Sequence, residues 1–258
     1  MENRMISKTK IDWCGYVWNP VWGCNRGCEY CYAKKIAKRF AGVIAKSETS
    51  YRHCYTHDDR EQMLGIIKGN IYNFRPTFLH GNFEKRFPSI HKPSIIFVNS
   101  MSDIEYWESE WIDIVLKRIR QTPHHTFVFL TKCYGIYEYI NDNERIPENV
   151  ICGYTACTDK QLILANTAIL NEYLNPDCLF MSMISIEPIL ENIHNGASQF
   201  TDWLIIGAET GNRKGKIIPK RNWIEKKLIF RGATFMKESL HGLMGNDFIQ
   251  EYPKFIDK

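Results

Sequence analysis

From about residue 94 onward the chain repeats one pattern, a short apolar, β-branched run followed by a stretch with helical spacing. The runs occupy residues 94–99, 126–131, 149–154, 178–185, 202–207 and 233–237, and helical patterns fall at 108–121, 159–172 and 221–230, with a short one at 136–140. The runs are nearly continuous in apolar residues, as strands of a parallel sheet covered on both faces are. Strands alternating with helices predict an α/β fold built from right-handed crossovers. An earlier unit, a strand near 17–23 and then a helix near 29–40, fits the same scheme. The count of such units, about seven, is more than a simple open sheet carries comfortably. The expected fold is a full or partial (β/α) TIM-like barrel, one domain over residues 1–258.

Residues 42–93 break the rhythm. The stretch 51–60 is polar and rich in histidine, and 73–93 carries Pro76, Pro88 and Pro93 among aromatics and charges. This reads as an insertion or cap over one end of the sheet; such long excursions are usually functional or mobile. A variable surface excursion is the plainer alternative. With 44% hydrophobic and 24% charged residues, wholesale disorder is excluded. A chain of 258 residues also buries enough surface to fold without disulfides. Its longest apolar runs, Ile95 to Val98 and Leu204 to Ile206, fall far short of the roughly 20 residues that span a bilayer. The first residues lack the apolar core of a secretion signal, so a cytoplasmic protein away from membranes is expected. A net charge of +4 is too mild to decide the partner.

The nine cysteines are Cys14, Cys24, Cys28, Cys31, Cys54, Cys133, Cys152, Cys157 and Cys178. An odd, uneven set in a reducing compartment stays as thiols unless a metal holds some of them. Cys24, Cys28 and Cys31 stand at C-x3-C-x2-C where strand should give way to helix, with Gly23 and Gly27 free to turn the backbone around a shared ion or cluster. A closed zinc site needs four ligands, and no fourth Cys or His follows at finger-like spacing. Three thiolates are one short of the usual complement of an iron–sulfur cube, which would leave one iron open to a substrate or cofactor.

This spacing, with Tyr30 just before the last cysteine, resembles the motif of the radical S-adenosylmethionine superfamily. The resemblance implies a [4Fe-4S] cluster on Cys24, Cys28 and Cys31, S-adenosylmethionine chelated at its open iron, and a 5′-deoxyadenosyl radical that abstracts hydrogen from substrate. It further implies a full or partial (β/α) barrel with the cluster loop after the first strand, and an external electron donor such as flavodoxin or ferredoxin. More narrowly, Trp18-Asn19-Pro20, Cys28-Glu29-Tyr30-Cys31-Tyr32-Ala33, Phe97 to Asp103, Thr126 to Lys132, Ser185-Ile186-Glu187-Pro188 and Ile205 to Gly211 are similar to a phage-associated radical S-adenosylmethionine-type family of unassigned function. Relatives there commonly space the first two cysteines more widely. The departure concerns the shape of the loop, not the identity of the ligands.

In parallel β/α barrels chemistry gathers at the C-terminal ends of the strands. Here the runs end in Asn99-Ser100-Met101-Ser102-Asp103, Thr131-Lys132, Tyr154-Thr155, Ser185-Ile186-Glu187, Gly207-Ala208-Glu209 and Lys237-Glu238. Helix capping accounts for Ser102 or Asp103. It accounts poorly for Glu187 and Glu209, since carboxylates are rarely buried without a partner. In the superfamily the loop after the second strand holds the methionine amino group through a Gly-Gly-Glu stretch. The glycines are absent here, so Asn99, Ser100, Ser102 and Asp103 become the acceptors to consider. Thr131 and Thr155 are the candidates for the ribose hydroxyls or methionine carboxylate, and Gly207 for close approach of backbone to adenine. Tyr30 completes the cofactor set, while Glu187, Glu209 and Lys237 would face substrate as the catalytic candidates.

Two basic stretches, Lys34/Lys35/Lys38/Arg39 and Arg213/Lys214/Lys216/Lys220/Arg221, lie near Trp22, Tyr32, Trp107 and Trp111. Together they suit a nucleic acid or nucleotide-like substrate, whose phosphates and bases they would grip and stack; a solvated helix face and loop is the plainer reading. A second metal site at Tyr51 to His57 is weakly suggested. The competing functional class is a non-catalytic zinc-knuckle nucleic-acid-binding protein that recruits Cys14 or His53 as fourth ligand. A third keeps the cluster in a redox or regulatory module.

Overall fold

Seven mutually parallel strands form the spine of the computed structural model, which describes residues 4–50, 56–178, 180–225 and 232–254. They are β2 (Tyr16–Val17), β5 (Ile95–Phe97), β6 (Thr126–Thr131), β7 (Val150–Thr155), β8 (Met181–Ile186), β9 (Trp203–Ile206) and β10 (Ala233–Met236), hydrogen-bonded in that spatial order. β1 (Ser7–Lys8) adds an antiparallel edge on β2. The edge strands β1 and β10 do not pair, so the sheet is a curled, eight-stranded half barrel within a mixed α/β fold.

The curl is visible in one side chain. β5 and β9 are four strand spacings apart, about 19 Å across a flat sheet. Yet the Trp13 ring lies 5.1 Å from Phe97 of β5 and 5.8 Å from Trp203 of β9. Trp13 and Cys14 fill the inner face together with Phe97, Val128, Ile151, Met183, Ile205 and Phe235. Alternate residues of the same strands, among them Phe129, Cys152, Ile184, Leu204 and Met236, face outward. There they pack against helices α4 (Ser109–Arg120), α5 (Ile136–Asn143) and α6 (Asp159–Leu174), which supply Val115, Ile140 and Leu162. Burial on both faces is why the runs read as continuously apolar. The free edge of β10 is covered by the chain itself: Met236 N donates to Ile249 O at 2.7 Å and Glu251 N to Thr234 O at 2.8 Å.

The first unit is where expectation and structure part. The single strand expected near 17–23 is two short ones, β2 and β3 (Val21–Trp22), the latter paired with β4 (Thr77–Phe78) in a separate two-stranded sheet. The helix expected near 29–40 starts at Tyr32 and runs to Thr49 as α1. α1 carries the chain from the first unit into the segment 42–93. Ala33, Ala37, Ala41 and Ala45, spaced four apart, form one buried stripe of α1. Small side chains there let α2 (His57–Tyr72) approach closely, with Ile67 and Ile71 buried in the same small cluster. The second half of the helix expected over 221–230, residues 226–230, falls outside the described residues beyond α7 (Asn222–Glu225), as does the 51–55 part of the suggested second metal site. No described helix is long and apolar enough to cross a membrane.

Candidate functional site

The cysteine loop crosses the C-terminal ends of the strands. Gly23 N donates to Met101 O (3.0 Å) and Cys24 N to Phe74 O (2.9 Å), tying the start of the loop to the segment after β5 and to the end of α2. Gly23 has φ +108°, and a Cβ there would sit 2.1 Å from Arg75 O, so no other residue fits. Gly27 (φ +77°) reverses the chain, Cys31 N donates to Cys28 O at 3.2 Å, and Cys31 becomes the N-cap of α1. The three thiols are half-buried and unpaired. Burial pushes the Cys24 thiol up to about 12; the backbone N–H of Arg26 opposes this, and Asp103, Cys28 and Cys31 add to it. Among the described residues no group of three or more His, Cys, Asp or Glu side chains is gathered to hold a single metal ion. A tetrahedral zinc with Zn–S bonds of about 2.3 Å draws its thiolates tightly together. The donor set of the loop is three free thiols, and thiolate sulfur is a ligand of both zinc and iron–sulfur clusters.

The strand register defines what faces this loop. Gly153 pairs with Met183, and Thr155 with Ser185, on the inward parity of β7 and β8. Two residues on, Cys157, Glu187, Gly207 and Lys237 form the next inward layer. Lys237 Nζ is ion-paired with Glu187 Oε1, and a Cβ on Gly207 would lie 2.9 Å from Lys237 Cδ and 3.3 Å from Glu187. The missing side chain of Gly207 thus makes room for the ion pair. Cys157 is buried; its Sγ lies 3.1 Å from Tyr30 Oη and 3.3 Å from Glu187 O. Burial raises the Cys157 thiol, an effect that Lys132 opposes. Lys132 Nζ stands over the Tyr30 ring at 5.9 Å. Tyr32 Oη donates to Ser100 O at 2.8 Å.

Other candidates are held by one another. Asp103 Oδ1 accepts from Thr131 Oγ1 (2.5 Å) and Glu105 N (3.2 Å), while Oδ2 accepts from Lys132 N (3.2 Å) and lies 3.7 Å from Arg26 Nε. Asn99 spans to β6 through Leu130 O (2.8 Å) and Leu130 N (3.0 Å). Ser102 Oγ accepts from Trp107 Nε1 at 3.1 Å, and Ser100 Oγ pairs with Asn19. Glu209 receives a two-pronged contact from Arg213 at 2.6 and 2.8 Å, and the guanidinium holds its carboxyl below the ordinary range. The structure therefore brings Tyr30, Glu187, Gly207 and Lys237 together, with Thr155 one layer below. It assigns Asn99, Ser102, Asp103 and Thr131 to holding the loops. Cys157 was not among the expected site residues, although the alternation that selects Thr155 also selects the residue two further on. Cys14, one of the two residues considered as a fourth ligand of a zinc knuckle, is buried in the inner core with Trp13 and Phe97; the other, His53, lies outside the described residues.

A family profile matches residues 8–228, from β1 to the end of the described part of α7 and just beyond. The chain belongs to that family. It is described as a protein of unknown function (DUF5131), and the match takes in the cysteine loop together with β2 to β9. No curated protein and no solved structure matches the chain. The DUF5131 match ends before β10, so Lys237 lies outside it while its ion-pair partner Glu187 lies within.

Proposed function

We propose that this chain is a radical S-adenosylmethionine enzyme that abstracts hydrogen from a nucleic acid or nucleotide-like substrate. The observation that carries the reading is the position of a three-thiol loop across the C-terminal ends of parallel strands, directly before a long helix. Cys24, Cys28 and Cys31 would hold a [4Fe-4S] cluster, which when bound and reduced by a donor such as flavodoxin or ferredoxin would supply the one electron that breaks the C5′–S bond of S-adenosylmethionine, giving methionine and a 5′-deoxyadenosyl radical.

The remaining work belongs to the protein's own side chains. Asp103, buried against Thr131, Lys132 N and Arg26, keeps the cysteine loop in register with β6. Tyr30, hydrogen-bonded to Cys157, spans from that loop to the layer beyond β7. Glu187 and Lys237 offer one acceptor and one donor on the inner face, each partly neutralised by the other, so either can bind a substrate group without leaving a bare buried charge. Gly207 keeps the space beside them clear.

Reconstitution with iron and sulfide under oxygen-free conditions is expected to give a brown protein that releases 5′-deoxyadenosine with dithionite and S-adenosylmethionine. A colourless protein binding one zinc per chain overturns the proposal. Cys28→Ala is expected to lose the colour and stay folded, because the thiols lie outside the principal core; outright unfolding would assign the metal a structural role.

A further inference from the structure

The two basic stretches differ in what their charges are doing. In the loop after β9, Arg213 is bound to Glu209, Arg221 is paired with Glu225 and Asp247, and Lys216 Nζ donates to Gly211 O, which leaves Lys214 and Lys220 exposed without an ion pair among the described residues. On α1 the charges are unspent. Lys34, Lys35, Lys38, Arg39 and Lys46 are all exposed, and none forms an ion pair among the described residues. The only acid of that helix, Glu48, is buried and accepts from His80 N and Gly81 N at 2.6 and 2.9 Å. Because the alanine stripe takes the opposite side, the solvent face of α1 centres on Lys35, Arg39 and Lys46. Every charge on it is positive, and from Lys35 to Lys46 the track is about 17 Å long, with Val43 exposed among the cations.

Aromatic rings are set into this track. Tyr32 is 52% exposed, and its hydroxyl is fixed to Ser100 O at the edge of the cysteine loop. Phe40 is 39% exposed beneath the Arg39 guanidinium at 5.2 Å, and Tyr72 of α2 is 51% exposed beneath Lys38 Nζ at 5.6 Å. Cations spaced along a line with exposed rings between them match a polyanion whose flat groups are free to stack. That describes a single strand, since in a duplex the bases stack on each other. A membrane surface would ask for a face centred on apolar residues, whereas this face is centred on charges.

We propose that the solvent face of α1, with Tyr72, is a docking track for single-stranded nucleic acid that leads a nucleotide past Tyr32 to the inner face of the half barrel. The proposal rests on the reading above for its chemistry and on charge and exposure alone for the binding. It also places the first residues of the track immediately after Cys31.

The test uses the full chain, reconstituted without oxygen, and fluorescence anisotropy with labelled 20-nucleotide dT and rU strands, a 20-base-pair duplex, and phosphatidylserine–phosphatidylcholine vesicles. Both single strands are expected to bind, with affinity falling steeply between about 50 and 200 mM salt. Lys35→Ala/Arg39→Ala should weaken binding at least tenfold and lower the salt slope by about 1.4, at roughly 0.7 per phosphate contact on a single strand. Tyr72→Ala should weaken it several-fold with little change in slope, since stacking is not a counterion effect. Equal affinity of the double variant, preference for the duplex, or binding to vesicles alone would overturn the track. Deoxyadenosine release, measured on the same samples, separates the two proposals: release without strand binding sinks the track alone, and strand binding without a cluster sinks the radical chemistry alone.

Discussion

At the ends of β5 and β6 the polar side chains are consumed by one another, whereas at the ends of β8 and β10 Glu187 and Lys237 are left facing the interior of the half barrel. Asp103 has partners on both oxygens, and Asn99 bridges two strands with both ends of its amide. Glu187 and Lys237 have chiefly each other, on a layer opened by a glycine. A polar residue after a parallel strand is thus no guide by itself to binding. The number of its protein partners decides whether it builds the loop or serves a guest.

The largest effect should come from the saturated side. Asp103→Ala removes a buried carboxylate from four neighbours and is expected to cost about 3–5 kcal/mol in thermal or denaturant unfolding. A loss below about 1 kcal/mol would break the contrast. Glu172, buried on the helix side of β7, gives a measure of what an under-partnered carboxylate costs. Burial pushes its carboxyl up to about 7 from 4.5; the hydrogen bond from Tyr154 opposes this, and Glu138 adds to it. Since the fold favours the protonated form, its contribution is complete below about pH 4.5 and is lost as pH rises through about 7. The drop is about 3 kcal/mol. Glu172→Gln should flatten that part of the stability profile, and an unchanged slope would refute the assignment. Gly207→Ala, which forces the Glu187–Lys237 pair aside, should cost about 1–2 kcal/mol of stability and slow deoxyadenosine release more than it lowers the melting temperature. The smallest stability change is expected for Glu187→Gln, within about 1 kcal/mol, because the glutamine oxygen still accepts from Lys237. If that variant instead unfolds the protein, Glu187 belongs with Asp103 among the builders.

How far the chain is legible follows from the same distinction. The ladder from β6 to β10 can be read because two-sided burial forces unbroken apolar runs, and the 126–131 run matches its strand residue for residue. The first unit cannot. β2 and β3 are two residues each, and their partners, Phe97 and Phe78, are far away in sequence, so no local pattern records them. α1 extends past its expected end because an alanine stripe makes a weak apolar signal and its packing partner α2 comes later. Glu209 attracted notice as a carboxylate after an apolar run, but its partner Arg213 sits in a loop with no periodicity. The cysteine spacing is local and stands out plainly, while the neighbour of Tyr30, Cys157, is 127 positions away.

The strip of chain at 249–251 that sheathes β10 has a consequence for how this molecule behaves in company. A half barrel has two raw margins, and a raw margin is a template on which other copies can assemble. By laying its own tail along one of them, the polypeptide satisfies those amides without borrowing a neighbour. Cutting the chain before residue 249 would take Tyr252 from its packing on Trp203 and Phe235 and leave β10 open to pairing edge to edge with another copy.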